Sequence, residues 1–562
     1  VPFLKLGKPR FENGIDVTPS RVAMATLTCK VPLPSLEAQR ALFMPGACPM
    51  SYDGVRGHEA GFQHYPEGVT GVGVATGGGA LTNATYGICF LYEWEDAKGV
   101  VWRSAPSVPL SVALGANNAL SCTLPHLRIT DKQGNYTLAD ERRGAVRLVG
   151  FRTEANGSIY YRDVPTVGSA AENNPGALSA ATWITELSDA LLIKNELLPT
   201  TGGGLENEAF NSSTIACVHQ RRIFTVMQEE ASFVQYTDEI DERFLAPATN
   251  EVYRIPVPVD GGSVVGLASM DDKLVIFCQR RIYYVYGEGP NRLGQQNGYS
   301  LPQMCSASLG MLGGSHESLA LTPDGIWFMS SAGGLRLLTR GLQVAMGLDE
   351  DGVKSYLGRE TDGHFTAAFT SIRAHSITSR NQVRWYVSTD SDGFVVVWDY
   401  QNQQWSKFTN FVANGGSVSA RDAFWHCNGT TLFKSQTVGG YDLPFAGTNS
   451  VLFETAWLSL TGFSGYQRVY AVQFLMNALA SVSVQVEVAY DGSATYAAAV
   501  THNAGVVDPL EIRVDLVRQK CSRVRFRVTI PTDGAENVRL AAMSLLIGVK
   551  SGLNRLPAAK RF

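Results

Sequence analysis

Apolar and polar residues alternate in short runs along most of this chain, and the runs come in pairs divided by turn residues. Between positions 213 and 436 the pairing repeats. Gln220-Arg221-Arg222-Ile223-Phe224-Thr225-Val226 and Gln279-Arg280-Arg281-Ile282-Tyr283-Tyr284-Val285 stand 59 residues apart, each after an apolar run, and read as two copies of one hairpin unit. Leu321-Thr322-Pro323-Asp324-Gly325-Ile326-Trp327 turns into Leu335-Arg336-Leu337; Val383-Arg384-Trp385 turns at Asp392-Gly393 into Phe394 and Trp398; Phe424-Trp425 turns at Asn428-Gly429 into Leu432-Phe433. Asp-Gly and Asn-Gly pairs accept the positive φ that two-residue hairpin turns need. Recurrence at roughly 40–60 residues predicts propeller blades of about four strands each. The chain is therefore expected to be all-β, with a β-propeller as its largest part.

The flanking regions have other periods. Residues 1–84 are rich in Gly and Pro and are expected to contribute to the propeller, closing the ring so that no strand edge stays exposed. In residues 85–168, Tyr86 to Trp94 alternates into a turn at Asp96 and Gly99 and returns through Trp102. Val146 to Phe151 likewise turns at Asn156-Gly157 and returns through Tyr161. Two such hairpins predict an inserted immunoglobulin or fibronectin III-like sandwich. Residues 169–446 are then the propeller blades, led by a linker over 169–212 with a short helix around Ala180 to Ala190. Residues 447–562 alternate at period two, as in Val482 to Val488 and Arg523-Val524-Arg525-Phe526-Arg527-Val528. One apolar and one polar face predict a C-terminal jelly-roll-like β-sandwich turning at Asp491-Gly492 and Asp533-Gly534. The basic tail after Lys550 is expected to reach a neighbouring chain.

Composition narrows this picture. At 562 residues, 45% hydrophobic and 17% charged, the chain is a well-packed, multi-domain protein, and its 56 glycines fit frequent turns. The formal net charge is −4, from 47 basic and 51 acidic residues, so tight gripping of nucleic acid phosphates is not expected. Nine cysteines are dispersed without a CxxC pair, which predicts buried reduced thiols formed in a reducing cytoplasm rather than disulfides or a zinc site. No apolar run approaches the roughly 18 residues of a membrane helix, and no charged-then-apolar leader is legible near Val1.

Candidate chemistry is thin. Thr322-Pro323-Asp324-Gly325-Ile326-Trp327 has the look of the Asp-box turn of sialidase-like propellers, but a single copy reads as a plain hairpin turn. Gly77-Gly78-Gly79 lacks the Lys and Ser/Thr of a phosphate loop. His58, His64, His219, His316 and His426 are isolated, with no Gly-x-Ser-x-Gly elbow and no zinc-binding pair. Asp390 and Asp392 have calcium-ligand chemistry but read as hairpin-turn residues. The Arg221-Arg222 and Arg280-Arg281 pairs could make a basic stripe, yet no aromatic stacking platform is organised around them. The residues thus predict no catalytic site, no cofactor and no metal, and no enzyme.

The order of parts resembles the tail nozzle proteins of short-tailed bacteriophages, the group of tail tubular protein B and the DNA-stabilising tail hubs. The resemblance rests on Tyr52-Asp53-Gly54 with Glu59-Ala60-Gly61-Phe62, on Leu321 to Phe328, on Glu454-Thr455-Ala456-Trp457 with Gly465-Tyr466-Gln467-Arg468, and on Gly548 to Pro557. It implies a virion structural protein, made in the bacterial host cytoplasm. A homo-oligomeric, hexameric ring at the distal end of the tail would form the channel for genome ejection and pass double-stranded DNA transiently. It would dock tail fibres and the tail adaptor or tubular protein. The slight net negative charge suits a wall along which DNA slides. The alternative reading is a glycan-binding or glycan-cleaving propeller, as in an adhesin, a lectin or a sialidase-like protein.

Overall fold

The computed structural model describes most of the chain between Leu36 and Lys550; the larger stretches outside the described residues are 1–35, 45–48, 53–56, 133–144, 167–171, 175–179, 199–208, 241–246, 291–297, 343–370, 389–392, 409–416, 436–448, 460–465, 505–509, 533–537 and 551–562. The chain forms two compact units, one running to Gly416 and including 428–430, the other comprising 417–427 and 431–562. Both are built from antiparallel sheets. The expected all-β chain is observed.

The first unit begins with a four-stranded meander, β1 (Leu36–Ala38), β2 (Ala41–Met44), β3 (Met50–Tyr52) and β4 (Gly57–Glu59), in the order 1-2-3-4. Eight strands of a different kind follow: β5 (Thr70–Val74), β6 (Thr85–Glu95), β7 (Val101–Arg103), β8 (Leu110–Ala113), β9 (Ala119–Pro125), β10 (Arg147–Thr153), β11 (Tyr160–Arg162) and β12 (Ala180–Thr185). One sheet has the order β11-β10-β6-β7, with β8 also on β6, and the other has the order β12-β9-β5. Ile88, Phe90, Leu148, Leu124 and Trp183 from the two sheets share one buried core.

This sandwich extends beyond the expected 85–168 at both ends. Ahead of it, β5 takes in Gly71 and Gly73 of the Gly-rich entry segment, because Gly71 lets the strand lie close to its neighbours; a Cβ there would meet Leu110 Cδ2 at 2.8 Å and Cys122 Sγ at 3.0 Å. The helix expected around Ala180 is instead β12, followed by a single helical turn at Asp189–Leu192. Alternating burial of Ala181, Trp183 and Thr185 against β9 outweighs the helix preference of alanine.

The meander pattern then resumes. It comprises β13 (Ala216–His219), β14 (Arg222–Val226), β15 (Phe233–Tyr236) and β16 (Arg254–Pro256), then β17 (Val264–Met270), β18 (Lys273–Cys278), β19 (Ile282–Tyr286) and β20 (Gln303–Ser306). Next come three strands, β21 (Ala320–Thr322), β22 (Gly325–Met329) and β23 (Leu335–Thr339), and four more, β24 (Ser371–Ile377), β25 (Gln382–Ser388), β26 (Gly393–Asp399) and β27 (Gln404–Phe408). Strands pair in chain order within each of these meander sheets, and β1 neighbours β13, β13 neighbours β17, and β21 neighbours β24. Sequential meanders that meet through their first strands give the propeller-like arrangement that the repeated hairpins predict.

Tryptophans knit two of these sheets together. Trp327 of β22 lies within 6.1 Å of Trp385, 5.6 Å of Trp398 and 5.3 Å of Trp405, centroid to centroid, and Trp385 Nε1 donates to Ser318 O at 3.0 Å. The tight turn before Trp327 depends on Gly325 at φ 148°, where a Cβ would lie 2.1 Å from Leu338 O.

In the second unit, β28 (Ser417–Ala420), β29 (Ala423–Asn428) and β30 (Thr431–Ser435) form a three-stranded sheet. Two sheets of a sandwich follow. One is β31 (Asn449–Glu454), β37 (Val524–Thr532), β33 (Val482–Tyr490) and β34 (Val500–Ala504), in that order; the other carries β35 (Leu510–Asp515), β36 (Lys520–Cys521) and β38 (Val538–Lys550) on β32 (Tyr466–Ala478). Val472, Phe474, Val484, Val486, Phe526 and Val528 fill the core between them. The 13-residue strand β38 was not anticipated, because its Leu-Ala-Ala-Met-Ser-Leu-Leu-Ile run lacks period-two alternation.

Candidate functional site

Three polar constellations in the first unit were candidates for chemistry. The first follows the seam where first strands of neighbouring meanders meet. His219 ends β13 and shares a 2.8 Å hydrogen bond between its Nδ1 and Ser269 Oγ of β17. His316 Nε2 donates to Ala216 O at 3.3 Å, so both histidines fasten β13 to an adjacent element. Burial pushes the His219 imidazole down to about 4, with Asp272 opposing, and the His316 imidazole down to about 4, with the Ala216 carbonyl opposing. Further along, Glu317 Oε2 meets Arg373 Nε at 2.6 Å; burial raises the Glu317 carboxyl while Arg373 pulls it back. His375 is pushed down to about 3 by burial, reinforced by Arg373. The seam therefore holds neutral imidazoles and one ion pair. Its chemistry is that of a hydrogen-bonded joint between sheets.

The second constellation carries a motif of the sequence. Glu59-Ala60-Gly61-Phe62 follows β4 and wraps around Lys132, which is fully buried. Lys132 Nζ pairs with Glu59 Oε1 at 3.0 Å, donates to Glu59 O at 2.8 Å and to Gly61 O, and sits 4.6 Å over the Phe62 ring. Thr130 Oγ1 donates to the same carboxylate, and the Glu59 amide donates to Asp131 Oδ2 at 2.8 Å. His58 packs edge-on to Trp94 and Trp102, at 4.6 and 5.3 Å. Glu59 and Gly61 on one side and Thr130, Asp131 and Lys132 on the other join the first meander to the inserted sandwich. It is a clasp, built from residues on both sides of the insertion.

The third is a cavity of about 430 Å³ between the end of β15, the segment entering β16 with β16 itself, and Pro290 and Gly298 to Pro302 ahead of β20. Tyr236 and Tyr253 stack at 5.0 Å and 11°, and Tyr299 stands edge-on to Tyr236 at 5.0 Å. Asn250, Arg254, Pro290 and Leu301 complete the wall, and no Asp or Glu lines it among the described residues. Behind the tyrosines lies Arg222, only 2% exposed, donating to Thr237 O at 3.0 Å and to Pro290 O. Burial raises the Tyr236 phenol to about 12 and raises Tyr299 as well, so both stay protonated. Asn250 to Pro256 and Gly298 to Pro302 each carry one Tyr and one Pro, too little local pattern to mark the site along the chain.

The residues singled out in the sequence are dispersed. Asp324 is exposed in the turn between β21 and β22. Asp390 and Asp392 lie outside the described residues. Arg221 is exposed and pairs with Glu239 at 3.3 Å, Arg281 pairs with Asp260, and Arg222 is buried, so the two arginine pairs make no common stripe. Gly77 to Gly79 lie after β5, where Gly79 abuts Asn118. Cys89, Cys122 and Cys278 are buried, with thiols pushed up to about 12 by desolvation, as expected of small core residues. No group of three or more His, Cys, Asp or Glu is placed to hold a metal among the described residues, and no helix among them is long and apolar enough to cross a membrane.

No family model and no curated protein matches the chain. Among solved structures, an exo-β-1,3-galactanase from Phanerochaete chrysosporium with galactose is 9% identical at a TM-score of 0.24, covering 63% of this chain and 97% of that one. A putative exported protein from Bacteroides fragilis is 11% identical at 0.23, covering 54% and 82%. A glycoside hydrolase family 43 arabinoxylan arabinofuranohydrolase from Bacillus subtilis is 8% identical at 0.19, covering 77% and 94%. Likeness at this level carries neither activity nor substrate to the present chain. The solved structures similar to this chain include glycoside hydrolases, and the expectation of no enzyme is withdrawn, since motif spacing that is not legible along the chain excludes no activity.

Proposed function

We propose that the chain is a structural component of a virion tail, forming a hexameric nozzle ring whose channel conducts the genome and whose two sandwiches dock fibres and neighbouring tail proteins. The observation that carries this reading is the order of parts. A meander is interrupted after β4 by a sandwich, propeller-like meanders resume at β13, and a second sandwich ends the chain. The clasp at Glu59 and Lys132 gives this order a physical basis, since it ties the insertion to the strand it interrupts. Of the sequence features behind the resemblance, Glu59-Ala60-Gly61-Phe62 is the one that builds this joint. A near-neutral surface suits a conduit that must release DNA rather than hold it. Native mass measurement and electron microscopy of the purified chain, alone and with its tail partners, test the reading. Six-fold rings with an opening of about 20 Å or more, wide enough for duplex DNA, are expected. A chain that stays monomeric when combined with those partners sinks the proposal.

A second reading, a glycan-binding protein, draws support from the tyrosine-walled cavity beside Arg222 and Arg254. Aromatic faces with a few convergent polar groups are the usual furniture of small-ligand sites. A glycan array on the intact chain tests it, and saturable binding of at least one glycan class is the expected outcome.

A further inference from the structure

We infer that the cavity walled by Tyr236, Tyr253 and Tyr299 binds a carboxylate-bearing sugar residue, such as a uronic acid. The inference rests on the glycan-binding reading and names its ligand class.

The size comes first. A cavity of about 430 Å³ falls within the range of roughly 300–1,000 Å³ typical of small-molecule sites. Its aromatic wall is held by contacts between rings: the Tyr236 and Tyr253 stack is braced by Tyr299, and Phe224 stands edge-on to Tyr299 at 5.3 Å. A wall fixed this way costs little conformational entropy when a flat ligand face arrives.

Charge then selects among ligands. Arg222 is a guanidinium withdrawn from water whose acceptors are two neutral carbonyls, Thr237 O and Pro290 O. Its Nε has no hydrogen-bond partner, and no carboxylate pairs with it among the described residues. The charge of Glu239 also reaches Tyr299, but Glu239 is ion-paired to the exposed Arg221; a buried cation with no ion pair among the described residues leaves a positive potential that low-dielectric surroundings screen poorly. Pro290 lines the cavity, so that charge stands one hydrogen bond behind the wall. Arg254, exposed on β16, lines the cavity itself and supplies a second guanidinium with its fork of donors. With no acidic residue among the described lining residues, the cavity is arranged for an anion.

Hydrogen-bonding groups add the last requirement. Asn250 Oδ1 already accepts from the amides of Val252 and Tyr253, at 2.8 and 3.1 Å, which fixes the carboxamide and leaves its Nδ2 to donate. A uronic acid answers all three features. Its carboxylate suits Arg254, the C–H face of its ring suits Tyr299, the partly exposed ring of the three, and its hydroxyls accept from Asn250. A neutral hexose leaves the positive potential unanswered, and inorganic phosphate leaves the aromatic wall uncovered.

The test uses the full chain and isothermal titration with oligogalacturonate, its neutral galactan counterpart and inorganic phosphate. The expected result is saturable binding of oligogalacturonate, about tenfold or more tighter than the neutral sugar. Arg254→Gln, at an exposed position, and Leu301→Glu, which places a carboxylate beside the 78% exposed rim residue position, should each weaken acidic-sugar binding by about tenfold. Circular dichroism checks that both variants stay folded. Equal affinity for acidic and neutral sugars, or an affinity unchanged in both variants, overturns the inference while leaving glycan binding in place. Phosphate binding as tight as that of the oligosaccharide overturns the sugar assignment. Binding of no glycan on the titration or the array overturns both the inference and the reading beneath it.

Discussion

Gln220-Arg221-Arg222-Ile223 and Gln279-Arg280-Arg281-Ile282 are the same four residues in turns of the same length, since His219 pairs with Arg222 and the Cys278 amide donates to Arg281 O. Yet the first joins the first and second strands of its meander, and the second joins the second and third. The two copies are therefore not one unit in the same place, as the spacing of 59 suggested. A strand added ahead of the second copy, Val264–Met270, moves it one step outward. Identical words specify a hairpin; the neighbouring strands decide where the hairpin sits. Arg222 accordingly ends up buried behind a cavity wall, whereas Arg281 lies at the surface against Asp260.

The largest expected effect separates these two arginines. Arg222→Met strips the buried Thr237 carbonyl and the partly buried Pro290 carbonyl of their donor and should destabilise the protein by about 3 kcal/mol. Arg281→Met breaks an ion pair whose partners are 32% and 52% exposed, and should cost about 0.5 kcal/mol. Urea denaturation of both variants measures the difference. Equal losses would show that burial does not distinguish the two sites.

The residues before the turns, His219 and Cys278, differ in what pH does to them. The His219 imidazole is held at about 4 when folded and returns to about 6.5 when unfolded, so the folded state favours the neutral form. Its contribution is present above pH 6.5 and is lost as pH falls from there towards 4, to a limit on the order of 2–3 kcal/mol. His316 and His375 act in the same direction. Chemical denaturation at pH 7 and pH 4.5 should show a loss in the native chain and a visibly smaller one in His219→Gln. Cys278→Ser should leave that slope unchanged, because burial pushes the thiol up to about 12 and it carries no charge in this window. A His219→Gln variant with the native pH slope would place the titrating groups elsewhere.

The contrast also marks what sequence could reveal. Alternation and turn pairs made the meanders legible, since Trp327, Trp385 and Phe394 point into their cores and Gly325 and Asn156 take the φ their turns require. Strand content was less legible where the period failed, as in β5 with its alternate glycines and β38 with its largely apolar, non-alternating run. The clasp was half visible: Glu59-Ala60-Gly61-Phe62 stood out as a motif, while its partner Lys132 lies 73 residues away with no local signal. The cavity was not visible, because Tyr236, Tyr253 and Tyr299 come from three separate loops and strand ends. Long-range convergence is written in tertiary packing, which spacing along one chain does not encode.

The smallest effect concerns the turns themselves and has opposite signs at the two sites. Gln220 and Arg221 both have positive φ, at 46° and 61°, whereas neither Gln279 nor Arg280 does. Non-glycine residues resist that region, and Asn-Gly is the pair that accepts it at both positions of a hairpin turn. Replacing Gln220-Arg221 by Asn-Gly should therefore stabilise the protein by about 0.5–1 kcal/mol, less the small share of the Arg221 to Glu239 pair, whose arginine is 62% exposed. The same replacement at Gln279-Arg280 relieves no strain and adds the entropy of a glycine to the unfolded chain, so it should destabilise by about 0.5–1 kcal/mol. Thermal unfolding of the two variants reads the sign directly. Shifts of the same sign would mean that the two turns share one backbone conformation, and the difference between the copies would then lie in their surroundings alone.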